Sequence, residues 1–113
     1  MFTMLSWFDI KQGYSPRECQ QALDELAEHM LAQGLITGVG PLARRETDTI
    51  LDTDSERSQQ YFMLMHFHDK AQSDLAVEYI KSRSEPGASI HKNAYSRLSN
   101  LVFICWEDLP AQT

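Results

Sequence analysis

Apolar and polar positions divide the chain into six regular elements. The segment FTMLSWFDI (2–10) is apolar and aromatic without helical spacing and reads as a strand, turned by Lys11-Gln12-Gly13. Apolar residues then recur at Cys19, Ala22, Leu23, Leu26, Ala27, Met30 and Leu31, the stripe of an amphipathic helix. Ser15 and Glu18 form a capping box around Pro16, and Gly34 stops the helix, which is predicted over 16–33. ITGVGPLARRET (36–47) reads as a weak strand whose Gly38, Gly40 and Pro41 belong at an edge or a bulge. Residues 48–58 are polar and read as a long exposed connection. QQYFMLMHFH (59–68) is a strong strand, and Asp69 with Gln72 caps a second helix over about 70–82, with Ala71, Leu75, Ala76, Tyr79 and Ile80 as its stripe. SRSEPG (82–87) breaks that helix. A short helical turn near 88–94, with Ile90 and Ala94 inward, leads into a last strand over 95–106.

The order β-α-β-β-α-β is the ferredoxin-like, split-βαβ pattern of an α+β protein with a four-stranded antiparallel sheet. One domain over 1–108 is expected, followed by a polar tail at 109–113. Alternation along the strands places Phe8 and Ile10 of the first strand, and Tyr61, Met63, Met65 and Phe67 of the third, beneath the helices. Leu5, Trp7, Phe62, Leu64, His66 and His68 fall on the other face, which two helices cannot also cover. Monomers rarely expose an apolar patch of this size. A homodimer joined through the free sheet faces is therefore expected.

At 113 residues, 42% hydrophobic and 23% charged, the composition is ordinary for a globular domain. There is no transmembrane-length apolar run and no signal-peptide pattern. Ten basic against 16 acidic residues give a net charge of −6, and no basic stripe offsets it, so neither nucleic acid nor membrane is an expected partner. Cys19 and Cys105 suggest no disulfide framework, and a cytoplasmic location is the expectation.

SWFDIKQGYSP (6–16), MHFHDKAQ (65–72), the Pro86 to His91 segment and LVFICWED (101–108) together resemble the dimeric α+β barrel superfamily, and within it the stress-responsive A/B-barrel type. The resemblance covers most of the chain in element order and implies a sheet-to-sheet dimer. Its activities range from cofactor-free and haem-using monooxygenases to polyketide cyclases and isomerases. In certain polyketide cyclases of this fold a histidine in the Pro86–His91 segment works with a tyrosine as an acid/base pair; His91 fits, with Tyr95 or Tyr61 as partner.

His66 and His68 share a strand face about 7 Å apart and could ligate a metal with His91, Asp9 or His29 as a third group. A catalytic histidine without metal is the stronger reading, His66 first and His91 second. Trp7, Phe62, Leu64, His68 and Tyr95 are the candidate lining of a site for a small apolar molecule, either between the two sheets or between helices and sheet. Arg44, Arg45 and Arg97 read as solvated or salt-bridged charges, and Asp52 to Glu56 lacks the glycine of a calcium loop, with Arg57 in its place. No cofactor and no metal are expected. The functional reading is thus a small-molecule protein, a cofactor-independent monooxygenase or a cyclase/isomerase, with a non-catalytic dimeric scaffold or stress-response interaction protein as the alternative.

Overall fold

The computed structural model describes residues 1–110. Its elements follow the order β1 (Phe2–Ile10), α1 (Pro16–Ala32), β2 (Gly38–Val39), β3 (Ala43–Arg44), β4 (Tyr61–Phe67), α2 (Lys70–Lys81), α3 (Gly87–Tyr95) and β5 (Leu98–Glu107). The sheet is antiparallel with β1 at its centre between β4 and β5, and β2 and β3 both pair with β4. The expected second strand is therefore one interrupted edge. The register slips by a residue between Val39↔Met65 and Ala43↔Phe62, where Gly40 and Pro41 intervene. Proline cannot donate to a ladder, so the break sits where the sequence forces it. The fold is the expected ferredoxin-like α+β arrangement, with one helical layer on one sheet face. Of the expected tail at 109–113, residues 111–113 lie outside the described residues.

Helix α1 begins as its sequence dictates. Ser15 Oγ accepts from the Glu18 amide, and Glu18 Oε2 accepts from the Ser15 amide, each at 3.1 Å. Gly34, at φ +70°, ends it in the left-handed conformation that favours glycine. Its stripe from Cys19 to Met30 is buried, whereas Leu31 turns outward. That stripe packs on Phe8, Met63, Met65 and Phe67, the sheet face expected beneath the helices.

Helix α2 departs from its predicted face. Ser73 and Ala76 are its buried residues, while Ala71 is exposed and Leu75 is 61% exposed. Tyr79 explains the rotation. Its hydroxyl lies 2.6 Å from His29 Nε2 on α1, and its ring packs where a side chain on Gly87 of α3 would stand. With Tyr79 turned sideways to both neighbours, the inward line of α2 passes through Ser73, Ala76 and Ile80. Gln72 does not complete a capping box; its side chain bonds the His68 amide and the Gly34 carbonyl, tying α2 to the end of α1.

A bulge closes the far end of the sheet. The β1–β5 register changes between Trp7↔Val102 and Asp9↔Ser99, with Asn100 at φ +53°. Asp9 accepts from Asn100 Nδ2 at 2.9 Å and from the Gln60 amide at 3.0 Å, and so holds the bulge against the start of β4.

Candidate functional site

The helices do not fill the space above the sheet. A cavity of about 540 Å³ lies between them, partly open to solvent. Phe2, Met4, Met65 and Phe67 form its floor, and Leu26 and Met30 of α1 form one wall. Ala76, Val77 and Ile80 of α2 form the roof. The hollow follows from α2: its inward residues Ser73 and Ala76 are too small to reach the sheet, and Ser73 Oγ is occupied by the Lys70 carbonyl at 2.6 Å.

Two polar rings line this largely apolar space. His91 and Tyr95 lie one turn apart on α3, so both fall on one helix face, with ring centroids 4.6 Å apart and planes at 29°. Burial holds the His91 imidazole below its ordinary pKa, so the neutral ring dominates near pH 7. Burial pushes the Tyr95 phenol up, with the Ser6 hydroxyl opposing, so the phenol keeps its proton. Ser6 lies on the helix-facing side of β1, and its buried Oγ closes no well-formed hydrogen bond among the described residues. The cavity wall thus holds a neutral base and a protonated phenol side by side. Cys105 and Lys81 also line it, and burial raises the Cys105 thiol, keeping it protonated.

The other candidates stand elsewhere. His66 points away from the helices, as its face predicts, with Nδ1 3.2 Å from Thr3 Oγ1. The sheet separates it from His91, and the cavity lies on the His91 side. His68 is exposed at the strand end. Trp7, Phe62 and Leu64 are on the free sheet face and do not line the cavity; among the proposed lining residues, Tyr95 does.

No suggested third ligand joins His66 and His68. Because Thr3 pairs with His66, Asp9 lies six strand positions away, roughly 20 Å. Asp9 and His29 are each engaged as described above, and His91 is across the sheet. Among the described residues, no group of three or more His, Cys, Asp or Glu side chains converges as a metal site would require.

The connection between β3 and β4 folds back over the free face at Trp7. Arg45 makes two 2.7 Å bonds to the carboxylate of Asp52 and also bonds the carbonyls of Asp54 and Arg57. Arg57 bonds Asp54 at 2.7 Å. The two guanidinium carbons stand 5.7 and 5.5 Å from the centroid of the Trp7 ring. The chain therefore covers part of the face expected to be bare, and Trp7 is served by its own loop. Leu5, Leu64, Ile104 and Trp106 remain, the last two 39% and 43% exposed.

No family model matches the chain, and no curated protein matches it significantly. Solved structures do. A protein of Arabidopsis thaliana is 12% identical over 98% of both chains, with a TM-score of 0.71. A dimeric ferredoxin-like protein of unknown function from Jannaschia is 14% identical over 95% of this chain and 98% of that one, at 0.65. A hydroxynitrile lyase from Passiflora edulis is 13% identical over 96% of both chains, at 0.57. The fold is shared with these structures and is ferredoxin-like. At these identities the likeness extends to the fold alone. Among the described residues, no helix is long and apolar enough to cross a membrane.

The one-turn spacing of His91 and Tyr95 is legible in the sequence, and one residue of β1 marks the side of the sheet on which the cavity lies. Ser6 is the one polar residue among Phe2, Met4, Phe8 and Ile10 on the helix-facing side of β1, and it marks where a buried polar contact would be needed. Cys105 and Lys81 could not be placed without the β5 register and the rotation of α2.

Proposed function

We propose that this protein binds a small apolar molecule in the cavity beneath α2 and moves a proton on it, with His91 as base and Tyr95 as acid. The observation that carries the reading is the stacked His91–Tyr95 pair on the wall of an apolar cavity of about 540 Å³. That volume falls within the range of small-molecule sites. The neutral His91 nitrogen takes a proton from a carbon beside a carbonyl. Tyr95 hydrogen-bonds the oxygen that gains charge, and the histidinium returns the proton at another carbon. This is isomerase or cyclase chemistry; the same carbanion is also the starting species of a cofactor-independent oxygenation. The working unit in this proposal is a homodimer joined through Leu5, Leu64, Ile104 and Trp106. The dimeric state of the Jannaschia protein supports that assembly.

Two measurements test the proposal. Nile red, a neutral apolar dye, should bind saturably to the wild type and fail to bind Ala76→Phe, which fills the roof of the cavity. Deuterium uptake at the α-carbon of cyclohexanone, followed by NMR, should be accelerated by the wild type and lost in His91→Phe. The acceleration should persist below the ordinary histidine pKa of about 6.5 and fall only as His91 protonates. Dye binding without accelerated exchange removes the catalytic role. Absence of both leaves the scaffold reading.

A further inference from the structure

The cavity carries a charge that the proposed proton transfer does not use. Lys81, the last residue of α2, lines it. The remaining lining is apolar apart from Ser73, His91, Tyr95 and Cys105, and none of these four carries a full charge at neutral pH under the shifts described above. Lys81 is therefore the single ionised side chain in the described wall. The ion pairs among the described residues all lie elsewhere: Met1–Asp108, Arg45–Asp52, Arg57–Asp54 and Lys70–Asp74. The Lys81 side chain is solvent-exposed, so it stands at the mouth of the cavity rather than its floor. Its aliphatic stem extends the apolar wall, and its ammonium meets water at the rim.

We infer that the ligand is an amphipathic anion: an apolar body seated over Met4, Met65 and Phe67, with a carboxylate held at the mouth by Lys81. The inference rests on the cavity reading above and adds the chemical class of what enters. Charge complementarity is the argument. The protein carries a net charge of −6, so an anion approaches against the overall field. A lone cation at the rim selects the orientation in which the charged end stays outward and the apolar end enters. The opposite orientation would strip water from the carboxylate over Met4, Met65 and Phe67, away from the single cation of the described wall.

The test is displacement of Nile red by a matched pair, decanoate and decan-1-ol, at neutral pH and low salt. The two share a chain and differ in the charged end. An exposed ion pair contributes modestly, so decanoate should displace the dye roughly two- to fivefold more tightly than the alcohol. Added salt should shrink the preference. Lys81→Gln should abolish the preference, and Lys81→Glu should invert it. Because Lys81 is exposed, neither substitution disturbs the core. Equal affinity for the two compounds in the wild type, or a preference that survives Lys81→Gln, overturns the inference and leaves the cavity reading intact. Failure of Nile red to bind the wild type overturns both.

Discussion

Replacing Gly87 with alanine tests how α2 is held over the cavity. Gly87 opens α3, and a Cβ built on it would stand 2.6 Å from Cε2 and 2.7 Å from Cζ of Tyr79, with the phenol oxygen closer still. Real side chains do not approach so closely. Tyr79 cannot swing aside freely, because its hydroxyl is bonded to His29 Nε2 at 2.6 Å. Overpacking of this kind costs about 1–3 kcal/mol. Displacing the phenol gives up a hydrogen bond worth about 0.5–1.5 kcal/mol. Against this, alanine restricts the unfolded chain and returns about 0.4–1 kcal/mol, since Gly87 is not in the left-handed region. With mid-range values the net expectation is a loss of about 2–2.5 kcal/mol, read as a melting temperature lower by roughly 8–10 °C. The decisive measurement is a double-mutant cycle. In a Tyr79→Ala background the obstruction is gone, and Gly87→Ala should lie within about 0.5 kcal/mol of neutral or be slightly stabilising. The coupling between the two sites should thus reach at least about 1.5 kcal/mol. Equal loss in both backgrounds, or a neutral Gly87→Ala in the wild type, would refute the placement of Tyr79 and with it the explanation of the rotated α2.

Two further outcomes follow from the free sheet face. The Arg45 guanidinium beside Asp52 holds that carboxyl below the usual range, and Arg57 does the same for Asp54. Because both folded values are depressed, the stabilisation is fully present above the unfolded pKa of about 3.9 and is lost as pH falls through the lower folded values. In a Trp106→Phe background, Trp7 fluorescence should hold steady through the ordinary carboxylate range and change only below it. The change should be absent in Arg45→Ala, where the loop is already released; a transition near neutral pH would contradict the clamp. Trp106→Asp should shift light scattering from dimer toward monomer, since a carboxylate there would lose water without gaining a partner. An unchanged mass would exclude the sheet-to-sheet assembly.

Local rules in the sequence were sufficient for most of the architecture. Ser15, Pro16, Glu18 and Gly34 bounded α1 because capping is satisfied by neighbours within a few residues. Strand alternation placed His66 away from the helices because a pleated strand offers two faces and Met63, Met65 and Phe67 claim one. Gly40 and Pro41 marked the broken edge because proline withholds a donor wherever it stands. Contacts distant in sequence decided the rest. Tyr79 reaches fifty residues back to His29, and that bond turned α2 away from its most hydrophobic stripe. The turn placed Ser73 and Ala76 inward and so left a cavity that periodicity cannot reveal, because a helical wheel records which residues are apolar and not how much space they fail to fill. The loop over Trp7 is the same lesson. Residues 48–58 are polar enough to read as solvated, yet Arg45 and Arg57 are anchored by aspartates and a tryptophan ring that only the folded chain brings together. His91 and Tyr95 share a helix face by their spacing alone, but the hollow they line exists only because α2, β1 and β5 meet around it.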